Sequence, residues 1–187
     1  MDCAERFSEL YRTQYDAVLR YAWRRTDSET ARDVVAETFL VAWRRLDAIP
    51  PDAGQERPWL YGVARRVLAN AERSRRRAER VAGKLGQQRR DDYAPDAAAA
   101  VAERATLEQA LASLTASDQE ALRLVGWEEL DLAEAALAMG CSRSAMAVRL
   151  HRARRRLERA LAAGHAPEET PAIRPVTPGQ ALSKESR

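Results

Sequence analysis

The stretch DLAEAALAMGCSRSAMAVRLHRARRRL, residues 131–157, decides the fold of this chain. Asp131 followed by Glu134 is a capping pair that starts a helix. Gly140 stops it, because the residue just past a helix end often takes positive φ, which glycine tolerates. Ser142 caps a second helix. Met146, Leu150, Ala153, Leu157 and Leu161 recur at helical spacing and predict its buried stripe. Two helices joined at Gly140-Cys141-Ser142, the second crowded with arginine, predict a helix-turn-helix whose second helix enters the DNA major groove.

With that stripe inward, Arg143, Ser144, Ala147, Arg149 and Arg152 face out or flank the outer face. Arginine near a helix N-terminus can donate two hydrogen bonds to guanine O6 and N7. Ser144 can reach a base edge or a phosphate, and Ala147 admits close approach to a thymine methyl. Arg154, Arg155 and Arg156 lie further along and suit phosphate neutralisation, which adds affinity without sequence choice.

Upstream, Asp96 predicts the start of a helix running through the alanines to Leu114, and Thr115 or Ser117 starts another. The helix-turn-helix therefore belongs to a four-helix domain, 96–162. Before it, Gly83, Gly86, Gln87, Gln88 and Asp91-Asp92 sustain no apolar stripe, so 78–95 reads as a flexible linker. Residues 5–77 carry three amphipathic helices. The first, 5–25, has Phe7, Leu10, Tyr11, Val18, Leu19 and Ala22 at helical spacing. The second, 29–46, has Val34, Val35, Phe39, Ala42 and Trp43, with Asp27 or Ser28 as its cap. After a loop, 47–56, Pro58 suits the first turn of the third helix, whose buried face is Trp59, Leu60, Val63, Val67, Leu68 and Ala71. Three such helices can bury one small core. The tail, 163–187, is proline-rich and predicted disordered. The fold class is all-α: a three-helix N-terminal domain and a four-helix C-terminal domain with a helix-turn-helix, joined by a flexible linker.

The net charge of +3 hides uneven placement. Residues 65–77 hold six arginines against Glu72, and 141–161 hold seven against Glu158. Concentrated charge of this kind directs a field that the overall value conceals. On the third helix, Trp59, Tyr61, Arg65, Arg66, Asn70, Arg73 and Arg76 combine aromatic and basic groups, which can stack on unpaired bases and track a backbone. Trp59 also shares a face with Val63 and Val67, which favours core packing. The second helix presents Arg32, Asp33, Glu37, Arg44 and Arg45 on its polar face. Acids there repel DNA, so that face suits a protein partner.

Cys3 and Cys141 form no metal-ligand spacing, and Cys141 reads as a small packed side chain. The start, MDCAERFSEL, lacks the basic and apolar regions of a signal peptide, and no apolar run approaches the roughly 20 residues of a membrane helix. A cytoplasmic chain without membrane insertion is expected. His151 and His165 sit in no catalytic setting; no paired carboxylates, phosphate loop or nucleophile motif stands out. The expectation is a binding protein, not an enzyme, with no metal and no cofactor.

Residues 33–43, DVVAETFLVAW, resemble the second-region helix of extracytoplasmic-function sigma factors, and 58–70, PWLYGVARRVLAN, is similar to that family's promoter-reading helix. Leu114-Thr115, 119–122 and 149–157 resemble its fourth-region start and recognition helix. The resemblance runs from 7 to 161 with the motifs in order. It implies a subunit that directs core RNA polymerase to promoter DNA. In that reading Asp33, Glu37 and Phe39 meet the polymerase clamp. The loop 47–56 with Trp59, Tyr61, Arg65, Arg66, Asn70, Arg73 and Arg76 captures the melted minus-ten element. Arg143, Ser144, Ala147, Arg149 and Arg152 read the minus-thirty-five duplex. Residues 107–127 meet the polymerase flap, and an anti-sigma protein is a further implied partner. Ala135, Ala136, Ala145, Arg66 and Asn70 differ from residues common in the family, which bears on promoter sequence. A stand-alone helix-turn-helix regulator is the alternative reading; a recombinase would need a nucleophile in a catalytic domain, which Ser8 and Tyr11 do not supply.

Overall fold

The computed structural model describes residues 2–82 and 98–164, and every regular element among them is helical. The first unit holds α1 (Cys3–Trp23), α2 (Ser28–Arg44) and α3 (Ala53–Ala82), with a 3-10 turn at Leu46–Ala48. The second holds α4 (Ala98–Ala112), α5 (Ala116–Gly126), α6 (Leu132–Met139) and α7 (Arg143–Gly164). Three helices and then four, as the periodicity predicts.

The starts follow from side-chain caps. Asp27 accepts from the backbone N–H groups of Glu29 and Thr30 and opens α2, and Thr115 accepts from Asp118 and opens α5. The Asp27 carboxyl is held below its ordinary value by the backbone and hydroxyl donors of Thr30. Asp131 and Glu134 form the reciprocal capping box of α6. Gly140 ends α6 with φ of +66°, and the Cys141 N–H reaches back to the Ala136 carbonyl at 3.0 Å.

The third helix departs from expectation at both ends. It starts at Ala53 and not near Pro58, because Asp52 accepts from the Gly54 N–H at 3.0 Å and holds an extra turn ahead of the proline. It continues to Ala82, so the expected boundary at 77 falls inside a helix. Glu72 accepts from Arg75 and Arg76, and Glu79 from Arg75; such pairs three and four residues apart support a helix where no core does. The rest of the expected linker, the Asp96 cap and nearly all of the tail lie outside the described residues.

The two units pack against each other. Tyr21, Leu60, Tyr61 and Ala64 of the first share one buried cluster with Leu124, Ala135, Ala138 and Met146 of the second. Along this seam α3 lies on α6. A Cβ placed on Gly62 would sit 3.1 Å from the Ala138 carbonyl oxygen, so the absence of a side chain lets the backbones meet.

Candidate nucleic-acid interface

Helix α7 carries the first basic face. Ser142 Oγ accepts from the Ala145 N–H at 3.2 Å and fixes the helix start. Met146, Leu150 and Ala153 are buried, as the sequence predicts. Arg143, Ser144 and Arg152 are exposed; Ala147 and Arg149 sit half-buried at the margins of the face. The sequence reading missed Val148, which is 50% exposed in the middle of that face. The spacing Ser144, Val148, Arg152 contained this signal, one turn apart at each step. An exposed apolar side chain there can meet a thymine methyl more directly than Ala147.

One assignment on α7 needs correction. Arg156, expected to neutralise phosphate, donates to the buried carboxylate of Asp118 on α5. Without a cation Asp118 would be a buried unpaired charge, so Arg156 serves the fold. His151, Arg152, Arg155 and Arg159 line a shallow concavity beside it. They leave a basic margin on the outer side of α7.

Helix α3 carries the second basic face, and the seam divides it. Trp59 is half-buried against the core, in line with the packing its spacing favoured. Tyr61 is buried and stacked on Tyr21, with ring centroids 4.5 Å apart and planes 15° from parallel. Burial raises its phenol above the ordinary value, with Glu128 adding to the effect. In this conformation the Tyr61 ring cannot stack on a base. Arg65 is half-buried and donates to the carbonyls of Met139 at 3.2 Å and Ala138 at 3.4 Å, the C-terminal end of α6. Arg66, Asn70, Arg73 and Arg76 are exposed. Arg76 pairs with Glu72, whereas Arg73 donates to the neutral Asn70 amide and keeps its charge.

The acidic face of α2 holds Asp33 and Glu37, both exposed. Phe39 is a correction: it is only 3% exposed, edge-on to Phe7 and 4.8 Å from the Tyr11 ring, so it belongs to the core and not to a docking face. The apolar groups that do reach solvent are Leu40, 41% exposed, Trp43, 48%, and Tyr11, 43%. Sequence periodicity placed Trp43 and Tyr11 inside. Leu40 lies one turn beyond Glu37, and this phase with the acids was the available signal.

The fold and these faces define a helical DNA-binding protein with a helix-turn-helix in its second unit. The family model described as Sigma-70 region 2 matches residues 10–78, and that described as Sigma-70, region 4 matches 104–157. The chain is 35% identical over 154 residues to the ECF RNA polymerase sigma factor SigL of Mycobacterium tuberculosis, covering 79% of this chain and 86% of the relative. It is 32% identical over 161 residues to the ECF RNA polymerase sigma factor BldN of Streptomyces coelicolor, covering 84% of this chain and 61% of that protein. Among solved structures, CnrH in complex with the cytosolic domain of CnrY superposes with a TM-score of 0.59 at 26% identity, over 84% of this chain and 88% of that one. The chain belongs to the extracytoplasmic-function sigma factors of RNA polymerase. Its function is promoter recognition in transcription initiation, with core polymerase and promoter DNA as partners; a stand-alone regulator is not favoured. Among the described residues no helix is long and apolar enough to cross a membrane.

Proposed function

We propose a division of labour along the chain. The first unit, α1–α3, engages the polymerase clamp through Asp33, Glu37, Leu40 and Trp43 on α2. The same unit captures the opened minus-ten strand through Trp59, Tyr61, Arg65, Arg66, Asn70, Arg73 and Arg76 on α3. The second unit, α4–α7, reads the minus-thirty-five duplex through Arg143, Ser144, Ala147, Val148, Arg149 and Arg152. Promoter opening in this scheme is differential binding without bond chemistry: bases that leave the duplex are held, and the melted state gains population. The chain acts where polymerase and chromosome are, in the cytoplasm. A protein that covers both units is a further partner we expect, in line with CnrH held by the cytosolic domain of CnrY.

The observation that carries the scheme is the outer face of α7: Arg143, Ser144, Val148 and Arg152 open to solvent while Met146, Leu150 and Ala153 anchor the helix inward. The test is reconstitution with core polymerase on genomic fragments, followed by mapping of start sites. Specific initiation from a recurring upstream sequence is expected. In that assay Arg143→Ala relaxes one base position of the minus-thirty-five element by about 1–3 kcal/mol. If core polymerase gains no specific start sites while the chain alone binds duplex as a dimer, the scheme fails.

A further inference from the structure

The seam between the units holds a charged cluster that the scheme above does not use. Arg25, at the end of α1, has a side chain only 5% exposed. Its Nε donates to Glu120 of α5 at 2.9 Å and its Nη2 to the other Glu120 oxygen at 3.2 Å. Its Nη1 donates to Glu128, in the α5–α6 loop, at 2.8 Å. Arg24 donates to the second oxygen of Glu128 at 2.8 Å and to the Trp127 carbonyl at 3.3 Å. Tyr21 completes the set, its hydroxyl donating to Glu120 at 2.7 Å and its ring lying 3.5 Å beneath the Arg25 guanidinium. Glu120 and Glu128 are 10% and 3% exposed. Each salt bridge of the cluster runs from the first unit to the second. Burial works against the charge on Arg25, but the surrounding groups more than offset it and hold its pKa above the ordinary value.

We propose that this cluster is an intramolecular latch that keeps the free chain closed and its minus-ten face covered. Closure engages Arg65 on the end of α6 and sets the Gly62 backbone against the Ala138 carbonyl, while α7 stays outward. The closed chain is thus able to touch duplex DNA and unable to grip an opened strand with the inner part of α3. The chemistry suits a reversible joint. A buried arginine paired with two buried carboxylates, with Arg24 exposed at the rim, gains little over the same groups in water, since rehydration on opening replaces most of what pairing supplied. A partner that binds the open form need only outweigh that small margin. The proposal rests on the reading of α3 as the strand-binding face.

The experiment uses the full chain and two variants. Glu128→Gln weakens the ionic joint, leaving an amide that still accepts a hydrogen bond; Gly62→Leu leaves the ion pairs and forces α3 away from the Ala138 backbone. Circular dichroism checks that helix content is kept. Small-angle scattering reports closure, and a labelled non-template strand from the promoter mapped with core polymerase reports strand binding. The expected result is a compact wild type, a larger radius of gyration in both variants, and at least tenfold tighter strand binding by each. A wild type as expanded as the variants overturns the latch. Variants that expand but bind the strand no better overturn its gating role, while normal initiation with polymerase leaves the sigma-factor scheme standing. Loss of initiation by the wild type would instead strike the scheme itself. If one variant loses helix content, the other alone decides the outcome.

Discussion

The hydroxyl of Tyr21 in α1 donates to a carboxylate oxygen of Glu120 in α5 at 2.7 Å, and both residues are buried. Burial raises the Tyr21 pKa well above the ordinary phenol range, and the charges of Glu120 and Glu128 push it further while Arg25 opposes them. Tyr61 covers the other side of the ring. A folded value above the unfolded one means the neutral phenol is favoured in the closed chain. Its contribution is fully present below the unfolded value of about 10 and is lost as pH rises through the folded value. Among the chain's 5 tyrosines, Tyr21 is therefore expected to titrate last by near-ultraviolet absorbance, with loss of compactness accompanying its ionisation. Tyr21→Phe removes that final step. A Tyr21 that ionises together with surface tyrosines would contradict the sealed seam.

Gly140 closes α6 at φ of +66°, and a Cβ there would lie 3.8 Å from Arg66 Nη2, an ordinary contact. Space is therefore not the constraint; backbone handedness is. Gly140→Ala is expected to destabilise the helix-turn-helix by about 1–2 kcal/mol. Thermal unfolding should move down by a few degrees, and duplex affinity should fall only as far as the fold loosens. An unchanged midpoint would mean the turn can be rebuilt without the left-handed residue.

Two neighbouring arginines of α7 should behave differently. Arg156 pairs with the buried carboxylate of Asp118, whereas Arg155 is exposed beside the basic concavity. Arg156→Ala is expected to cost about 1–2 kcal/mol of stability, discounted because Arg156 is itself half-exposed. Arg155→Ala is expected to leave the unfolding midpoint in place and reduce the salt dependence of duplex binding by about one phosphate contact. Denaturant unfolding and binding isotherms at several salt concentrations separate the two. Equal stability of both variants would remove the structural role given to Arg156.

Helix starts, the Gly140 stop and the α7 core stripe were legible because each depends on neighbours within one turn: Asp27, Thr115, Asp131 and Ser142 cap the helices their positions predict. The extra turn before Pro58 was not legible, since it depends on Asp52 against a proline bias. The seam was invisible for a different reason. Arg25 meets Glu120 across 95 positions, and nothing in local periodicity links a helix-end arginine to a distant glutamate. The engagement of Arg65 by the end of α6 follows from that seam, and the stack of Tyr61 on Tyr21 from the packing of α3 on α1; both are long-range, which is why the composition of α3 read as one open basic face. The division of α2 into buried Phe39 and exposed Leu40 and Trp43 turns on the aromatic packing of α1, again a long-range matter.

The α2 face allows charge and apolar contact to be tested apart. Asp33 and Glu37 stand exposed one turn from each other, with Leu40 a turn further and Trp43 resting edge-on against Phe7 at 5.0 Å between ring centres. A half-exposed tryptophan on a firm aromatic base is the kind of side chain that dominates a protein interface, because it loses little freedom on docking and buries much apolar area. Trp43→Ala is therefore expected to weaken core-polymerase affinity at least tenfold while the first unit stays folded. Glu37→Lys acts on encounter: the association rate should fall, and raising salt should shrink the difference from wild type. Phe39→Ala supplies the contrast, since removing a buried ring costs about 3–5 kcal/mol of stability and affects polymerase only through the fold. Association and dissociation rates for each variant with core polymerase, alongside unfolding midpoints, assign each residue its role. A folded Trp43→Ala chain that binds core as tightly as wild type would take this face out of the polymerase interface.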